Sequence, residues 1–415
     1  MRPITAVLAG AGNRGTLAYG DYALLKPDAL KIVAVADPDA TRLQRFQRSH
    51  QLTDQDCFTD WKPLLAEKRA DLAIISTMDR LHVEPAVFAM KNGYDLILEK
   101  PMATSLKGCR EIIAVAKETG RMVSVAHVLR YTTFFSTIKK ILSENALGRI
   151  IQVHLSERIG YYHMAHSYVR GNWANSHKTA PIILTKSCHD LDLLCWLIGK
   201  PCRSVYSEGG LVYFRRENHP TGAGERCLSC RIERDCPYSA KKIYLDLVED
   251  WAIARNILPG ATYQEKEKFL ATGPYGRCVF LCDNDVADHQ TAILDFDGVQ
   301  AVFNLTAFSA EKTREIDILG TGGDLKGNFE RGWIEIRVYG GEKRTITIPE
   351  EKGLHAGGDF RLLDDVIERI RNKTTRSLSS PEESFRSHEI AFACETSRRE
   401  QRQVLLGSNA AKQYG

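Results

Sequence analysis

Three short stretches of this 415-residue chain hold side chains that could act together: Gly10-Ala11-Gly12-Asn13-Arg14-Gly15, Glu99-Lys100-Pro101 and Cys188-His189-Asp190-Leu191-Asp192. The first has the spacing of a pyrophosphate cradle. Gly10 permits a tight turn, Gly12 lets backbone approach a phosphate with no side chain between, and Gly15 lets a helix pack closely on a strand. The helix behind it offers free N–H groups and its positive dipole end to an anion. Asp37 ends the run Val33-Ala34-Val35-Ala36. A carboxylate there accepts both ribose hydroxyls and repels a 2′-phosphate, which favours NAD over NADP. Arg42 could hold such a phosphate, but beside Asp37 it reads as a solvated helix residue.

These residues need elements to hold them. Ala6–Ala9, Ile32–Ala36, Leu72–Ser76, Asp95–Leu98 and Met122–Val125 are short apolar runs, and helical patterns such as Val83–Asn92 and Ser105–Glu118 fall between them. That alternation predicts a parallel sheet covered on both faces, the Rossmann-type doubly wound α/β architecture. After Gly148 the rhythm changes. Ile150–Ser156 alternates like a half-exposed strand, Ser187–Ile198 reads as a helix, and Thr291–Phe296 and Val299–Thr306 flank an Asp297-Gly298 hairpin signal. Further strands are expected at Glu315–Leu319, Trp333–Tyr339 and Arg344–Ile348. This half reads as an α+β domain with an open, largely antiparallel sheet. The domains are placed at 1–126 and 127–415. A polar, Pro/Gly-punctuated insertion covers about 209–288, and two closing helices are expected at Asp359–Asn372 and Pro381–Leu405, the second packing back towards the first domain.

Taken together, the glycine motif, Asp37, Glu99-Lys100-Pro101 and Cys188-His189-Asp190-Leu191-Asp192 make the chain resemble the Gfo/Idh/MocA oxidoreductases over nearly its whole length apart from the insertion. The resemblance implies that Lys100 sits beside the nicotinamide and contacts the reacting hydroxyl, where a positive charge stabilises a developing alkoxide. It implies that His189 is the general base or acid. The family commonly has Asp four residues before that histidine. Here the position is Thr185, followed by Lys186, which could share the proton work or bind substrate. Asn13, Arg14, Thr77, His82 and Glu99 complete the expected cofactor-facing set. Arg130 and Tyr131, after the last strand of the first domain, either approach the nicotinamide and substrate or pack at the domain crossover. By the same resemblance the chain should form a homodimer or homotetramer.

The segment Tyr161 to Trp173 is dense in aromatics and polar groups. Tyr161, Tyr162, His163, His166, Arg170 and Trp173, with Arg158 just before, suit a sugar: aromatics stack on ring faces, and arginines hold hydroxyls or an acidic group. A surface loop or a subunit contact would use the same residues. In the insertion, Cys227, Cys230 and Cys236 lie close together, with Cys278 and Cys282 later. Three or four thiolates, with Cys278, Cys282 or His289 as the fourth ligand, could hold a structural Zn²⁺; reduced packing thiols are the alternative.

The composition excludes other classes. A formal net charge of +4 gives no footprint for nucleic acid. No apolar run is long enough for a membrane span, and Met1-Arg2-Pro3-Ile4 enters a strand without a signal-peptide pattern, so a cytoplasmic protein is expected. The leading functional expectation is an NAD-dependent oxidoreductase acting on a hydroxyl carbon of a sugar or cyclitol. The second is a redox-neutral NAD-dependent glycosidase that oxidises the sugar at C3 transiently, with an anionic sugar among the candidate substrates. A non-catalytic NAD-binding regulator is disfavoured by the presence of both Lys100 and His189.

Overall fold

The apolar runs of the first third form one parallel sheet: β1 (Ile4–Ala9), β2 (Leu30–Ala36), β3 (Cys57–Phe58), β4 (Leu72–Ile75), β5 (Asp95–Leu98) and β6 (Val123–Val125), in the spatial order β3-β2-β1-β4-β5-β6. The structure is a computed structural model that describes residues 2–246, 257–258, 260–351, 353–374 and 376–407. Alternate residues serve opposite faces of the sheet. Ala6, Leu8, Leu72, Ile74 and Ile97 pack with Tyr19, Tyr22 and Phe46, whereas Val7, Ala9, Ala73, Ile75, Leu96 and Leu98 pack with Leu64, Ala86, Met90 and Ile112. Both faces are buried, which is why these strands are continuously apolar. Strand β3 is only two residues at the sheet edge, too short for a sequence pattern to show.

The second sheet has nine strands: β7 (Ile150–Arg158), β8 (Ser204–Gly210), β9 (His289–Asp295), β10 (Gln300–Thr306), β11 (Thr313–Gly320), β12 (Gly323–Asn328), β13 (Trp333–Val338), β14 (Lys343–Thr347) and β15 (Val404–Leu405). Their order is β14-β13-β12-β11-β7-β10-β9-β8-β15. β7 and β10 run parallel and every other pairing is antiparallel. The expected hairpin is present: Asp297 and Gly298 both take positive φ, 53° and 85°, between β9 and β10.

On β7, Val153, Leu155 and Glu157 are buried on the inner face, whereas His154 and Arg158 point outward. The helix Cys188–Ile198 lies against that inner face. The helix Gly358–Arg371 packs Leu362, Leu363, Val366 and Ile367 into the first sheet's core. The helix Pro381–Glu400 touches both the helix Leu106–Thr119 of the first sheet and β8 of the second. It ends earlier than expected. Gln401 turns left-handed (φ 51°), and Val404–Leu405 then pairs with β8 as β15.

The described part of the insertion does not build a core of its own. Phe214, Cys227, Tyr238, Tyr244, Leu270, Cys278 and Phe280 join the same buried cluster as β7, β9 and β10. Residues 247–256 of it lie outside those described. Among the described residues no helix is long and apolar enough to cross a membrane.

Candidate active site

The three glycines of the first motif are held by three different constraints. Gly10 has φ 101°, and a Cβ on it would lie 2.5 Å from the Ser76 carbonyl oxygen. A Cβ on Gly15 would lie 2.0 Å from the Gly10 carbonyl oxygen. At Gly12 a Cβ would meet nothing within 4 Å. The protein's own packing therefore leaves the space over Gly12 open, as a backbone approach to a pyrophosphate would require. Asp37 holds the turn from below: Ala11 N–H donates to Oδ2 at 2.7 Å and Asp39 N–H to Oδ1 at 2.9 Å.

Asn13 and Arg14 open the helix that follows. The Arg14 guanidinium donates to Glu99 Oε1 at 2.7 Å and pairs with Asp359. Tyr19 Oη donates to the same Glu99 oxygen at 2.7 Å, and Lys100 N–H donates to Oε2 at 3.2 Å. Glu99 thus braces the nucleotide loop against the Lys100–Pro101 peptide, which is cis. His82 braces it from the other side, its ring nitrogens facing Pro101 O at 2.8 Å and Thr77 O at 3.0 Å. The Thr77 hydroxyl donates to Leu81 O at 3.3 Å.

From this loop Lys100 reaches across to the second domain, where Nζ donates to the Thr185 carbonyl at 2.8 Å. That places its ammonium at the start of the helix bearing His189. His189 is buried, and its Nδ1 has no hydrogen-bond partner. Burial, and then the nearby Lys100, His355 and His127, hold its pKa well below the usual imidazole range. Beneath it lies a buried charge network. Lys186 Nζ is 2.8 Å from Glu157 Oε1, Arg314 Nη2 is 2.6 Å from Glu157 Oε2, and Arg314 Nε donates to Asp190 Oδ1 at 2.7 Å. Burial pulls Lys186 down to about 8 against the pull of Glu157. Burial also pushes Asp190 up to about 6, with Glu157 adding to the shift and Arg314 opposing it. His163 belongs to the same cluster, lowered by burial and then by Lys186 and Lys312.

The other residues expected at a substrate site are dispersed. Tyr161 and Tyr162 are half-buried, edge to face at 5.3 Å, beside Gly160 and the loop before β11. Trp173 Nε1 donates to Asp79 Oδ2 at 2.9 Å, a link between the domains. Arg158 follows Glu157 directly, so it points to the opposite face of the sheet, where it pairs with Glu315 at 2.6 Å. Arg130 is buried and bidentate on Asp192, both bonds 2.6 Å, and also donates to the Leu378 carbonyl. Tyr131 Oη reaches Asp365 and Ser379. His166 stacks on Tyr275 at 4.7 Å and bonds the Tyr244 hydroxyl, and burial lowers its pKa to about 3. Arg170 is buried in the insertion, donating to the carbonyls of Arg277 and Tyr238 and to Cys227 Sγ. Each of these last five is engaged away from Lys100.

Of the two readings of Cys227, Cys230, Cys236 and Cys278, a structural zinc or packing thiols, the structure does not support the zinc. Among the described residues no three His, Cys, Asp or Glu side chains come together to hold an ion. These cysteines line one small cavity with Arg170. Burial raises the pKa of Cys236, Cys278 and Cys282. His289 pairs with Asp288 at 2.9 Å. The cysteines pack the insertion, and Arg170 staples it.

Sequence reasoning missed Glu157, Arg314, Lys312 and His355. The first three are scattered through β7, β11 and the loop before it, with no motif to mark them. His355 had a signal: it stands in Gly353-Leu354-His355-Ala356-Gly357-Gly358-Asp359, a histidine among glycines with a carboxylate four residues on. Its ring centroid is 5.7 Å from that of His189.

Residues 4–127 match the oxidoreductase family with an NAD-binding Rossmann fold, and residues 139–406 match that family's C-terminal alpha/beta domain. The chain belongs to the Gfo/Idh/MocA oxidoreductases. It is 27% identical over 330 residues to the putative oxidoreductase YteT of Bacillus subtilis, covering 75% of each chain. It is 25% identical over 217 residues to the 2,7-anhydro-N-acetylneuraminate hydratase of Mediterraneibacter gnavus, covering 52% of this chain and 55% of that one, so the match spans about half of that relative. The fold is shared with an oxidoreductase from Agrobacterium radiobacter solved with NAD+, L-tartaric acid and magnesium, at 15% identity and a TM-score of 0.71 over 97% of this chain and 98% of that one.

Proposed function

We propose that this NAD-dependent oxidoreductase transfers hydride between a hydroxyl-bearing carbon of a sugar or cyclitol and the nicotinamide, with Lys100 and His189 at the reacting hydroxyl. The observation that carries this reading is the reach of Lys100 from the nucleotide-binding domain to Thr185 O, beside the His189 helix. Gly10, Gly12 and Gly15 would hold the cofactor's pyrophosphate and Asp37 its ribose hydroxyls, and the cofactor would supply the hydride acceptor. The Lys100 ammonium stabilises the substrate oxygen as it loses its proton. His189, held neutral, hydrogen-bonds that oxygen. Glu99 and His82 fix the backbone that aims Lys100.

A second reading is favoured by the number of proton-transferring groups present. Net dehydrogenation needs one. In this reading His189 and His355, which face each other, are joined by His163 and Lys186, the last lowered to about 8. That surplus suits a redox-neutral reaction in which a transient ketone acidifies the neighbouring C–H and the cofactor is recycled. The similarity to a hydratase of an anhydro sugar acid supports the same direction.

Absorbance at 340 nm separates the two. With NAD+ and a panel of free sugars, sugar acids, cyclitols and aryl glycosides, stoichiometric NADH identifies a dehydrogenase. Product without net NADH identifies the redox-neutral reaction. Absence of both with every compound would overturn the proposed function.

A further inference from the structure

The carboxylate usually four residues before the helix histidine is Thr185 here, so His189 has no acid behind it. A histidine–carboxylate pair stands directly opposite. His355 Nδ1 lies 2.8 Å from Asp359 Oδ2, and the His355 ring centroid is 5.7 Å from that of His189 with the planes tilted by 52°. The His355 side chain keeps 27% of its surface exposed while Asp359 keeps 1%. One edge of the ring is therefore pinned and the other is reachable. The backbone is bent to achieve this: His355 and Ala356 both sit in the left-handed region, with φ 47° and 48°. Non-glycine residues rarely hold that conformation unless the surroundings impose it, and functional sites are where it clusters.

We infer that His355, oriented by Asp359, is the residue that takes the proton of the reacting hydroxyl, while His189 donates a hydrogen bond to the same oxygen; this rests on the hydride-transfer reading above. The substrate O–H bond breaks and its proton goes to Nε2 of His355. The C–H bond breaks and its electron pair leaves as hydride to NAD+, and the carbonyl forms. The imidazolium is left beside an ionised carboxylate, as in other Asp-oriented histidine bases. Asp359 is kept ionised by Arg14 as well as by His355. Among the described residues the groups that act on His355 include Asp359 from its own segment, Arg14 from the nucleotide loop, Lys312 from the loop before β11 and His189 from the helix Cys188–Ile198. Burial and the two cations lower its pKa and Asp359 opposes them, which keeps the ring neutral and ready to accept.

The test uses the full chain loaded with NAD+. Nitrogen NMR of histidine-labelled protein, with His355→Gln identifying the signal, should show Nδ1 protonated and Nε2 bare. A protonated Nε2 with bare Nδ1 overturns the inference without any substrate. With whichever compound of the panel turns over, His355→Gln should lower kcat by about 100-fold or more and remove the acid limb of kcat/KM, with NAD+ binding unchanged. Asp359→Asn should move that limb to lower pH by about one unit. Should Asp359→Asn lose its fold with the Arg14 pair, His355→Gln alone decides. An acid limb that survives in His355→Gln but vanishes in His189→Gln overturns the inference and leaves the proposed function standing. Wild-type protein inert to the whole panel overturns the proposed function and the inference with it, whereas the wrong tautomer overturns the inference alone.

Discussion

Lys186 Nζ lies 2.8 Å from Glu157 Oε1, with Glu157 fully out of solvent and Lys186 nearly so. Arg314 holds the other Glu157 oxygen at 2.6 Å. Removing one member of such a group leaves an uncompensated buried charge. Glu157→Gln should therefore cost about 3–5 kcal/mol in urea unfolding. The double variant Glu157→Gln/Lys186→Met should cost less than the sum of the two single changes, because the second removes a charge the first stranded. Additive costs would show that the two side chains do not share one network.

Lys100→Ala removes an ammonium that crosses from the nucleotide-binding domain to the Thr185 carbonyl, just before the His189 helix. Turnover should fall by about 10²–10³-fold or more. NAD+ affinity, measured by fluorescence titration, should stay within about twofold, a change of only ~0.4 kcal/mol. Retained turnover would remove Lys100 from the reacting hydroxyl.

The glycines should separate folding from cofactor binding. Gly15→Ala places a Cβ 2.0 Å from a carbonyl oxygen, and should destabilise the protein by about 1–3 kcal/mol or more. Gly12→Val fills space that is open in the protein. Its melting temperature should not move, while NAD+ binding weakens by about tenfold or more, ~1.4 kcal/mol. Calorimetry with and without NAD+ reads both effects.

His388 gives a pH dependence with a definite sign. Its Nε2 accepts Met102 N–H at 2.8 Å and its Nδ1 bonds the Ser384 carbonyl at 2.7 Å, so the ring is neutral. Burial, with His127 adding to it, lowers its pKa to about 3. The folded state therefore binds fewer protons than the unfolded one between about pH 3 and 6.5. This histidine's contribution is complete above pH 6.5 and is lost on acidification through that window, by about 1.4 kcal/mol per pH unit. The melting temperature should fall as pH drops below 6.5, and His388→Gln should flatten the slope. An unchanged slope would assign the acid sensitivity to other groups.

Arg170→Met should destabilise the protein through loss of the carbonyl contacts to Arg277 and Tyr238 and the exposure of unpaired polar groups, by about 1–3 kcal/mol. It should leave KM for the turned-over substrate unchanged. A raised KM with unchanged stability would return Arg170 to substrate binding.

Much of the fold was legible because it depends on local pattern. Continuous apolar runs alternating with helices announced the parallel sheet, and Asp297-Gly298 announced the β9–β10 hairpin, whose two positive φ angles such a pair tolerates. Strands β8 and β12 were not legible. Ser204 and Ser207 are buried small polar residues, and Gly323 and Gly327 punctuate β12, so neither strand shows an apolar alternation. The long last helix was overextended because the left-handed turn at Gln401 carries no glycine to mark it.

By itself the sequence determined the glycine turn of the NAD-binding Rossmann domain and the two-sheet architecture, and it singled out Lys100 and His189 as the candidates to test. Glycines, a proline and apolar spacing act through the backbone nearby, and that needs no distant partner. Only the tertiary structure decided which charged and aromatic side chains face the site. Glu157 and Arg158 are adjacent, yet strand parity sends one to the buried network and the other to the outer face. Arg130 found Asp192, Arg170 found the insertion's carbonyls, and Asp359 found both Arg14 and His355, partners that lie from 4 to 345 positions apart. A buried charge is held by whichever counter-charge the packing brings to it, and that pairing is a property of the assembled layers rather than of any one segment.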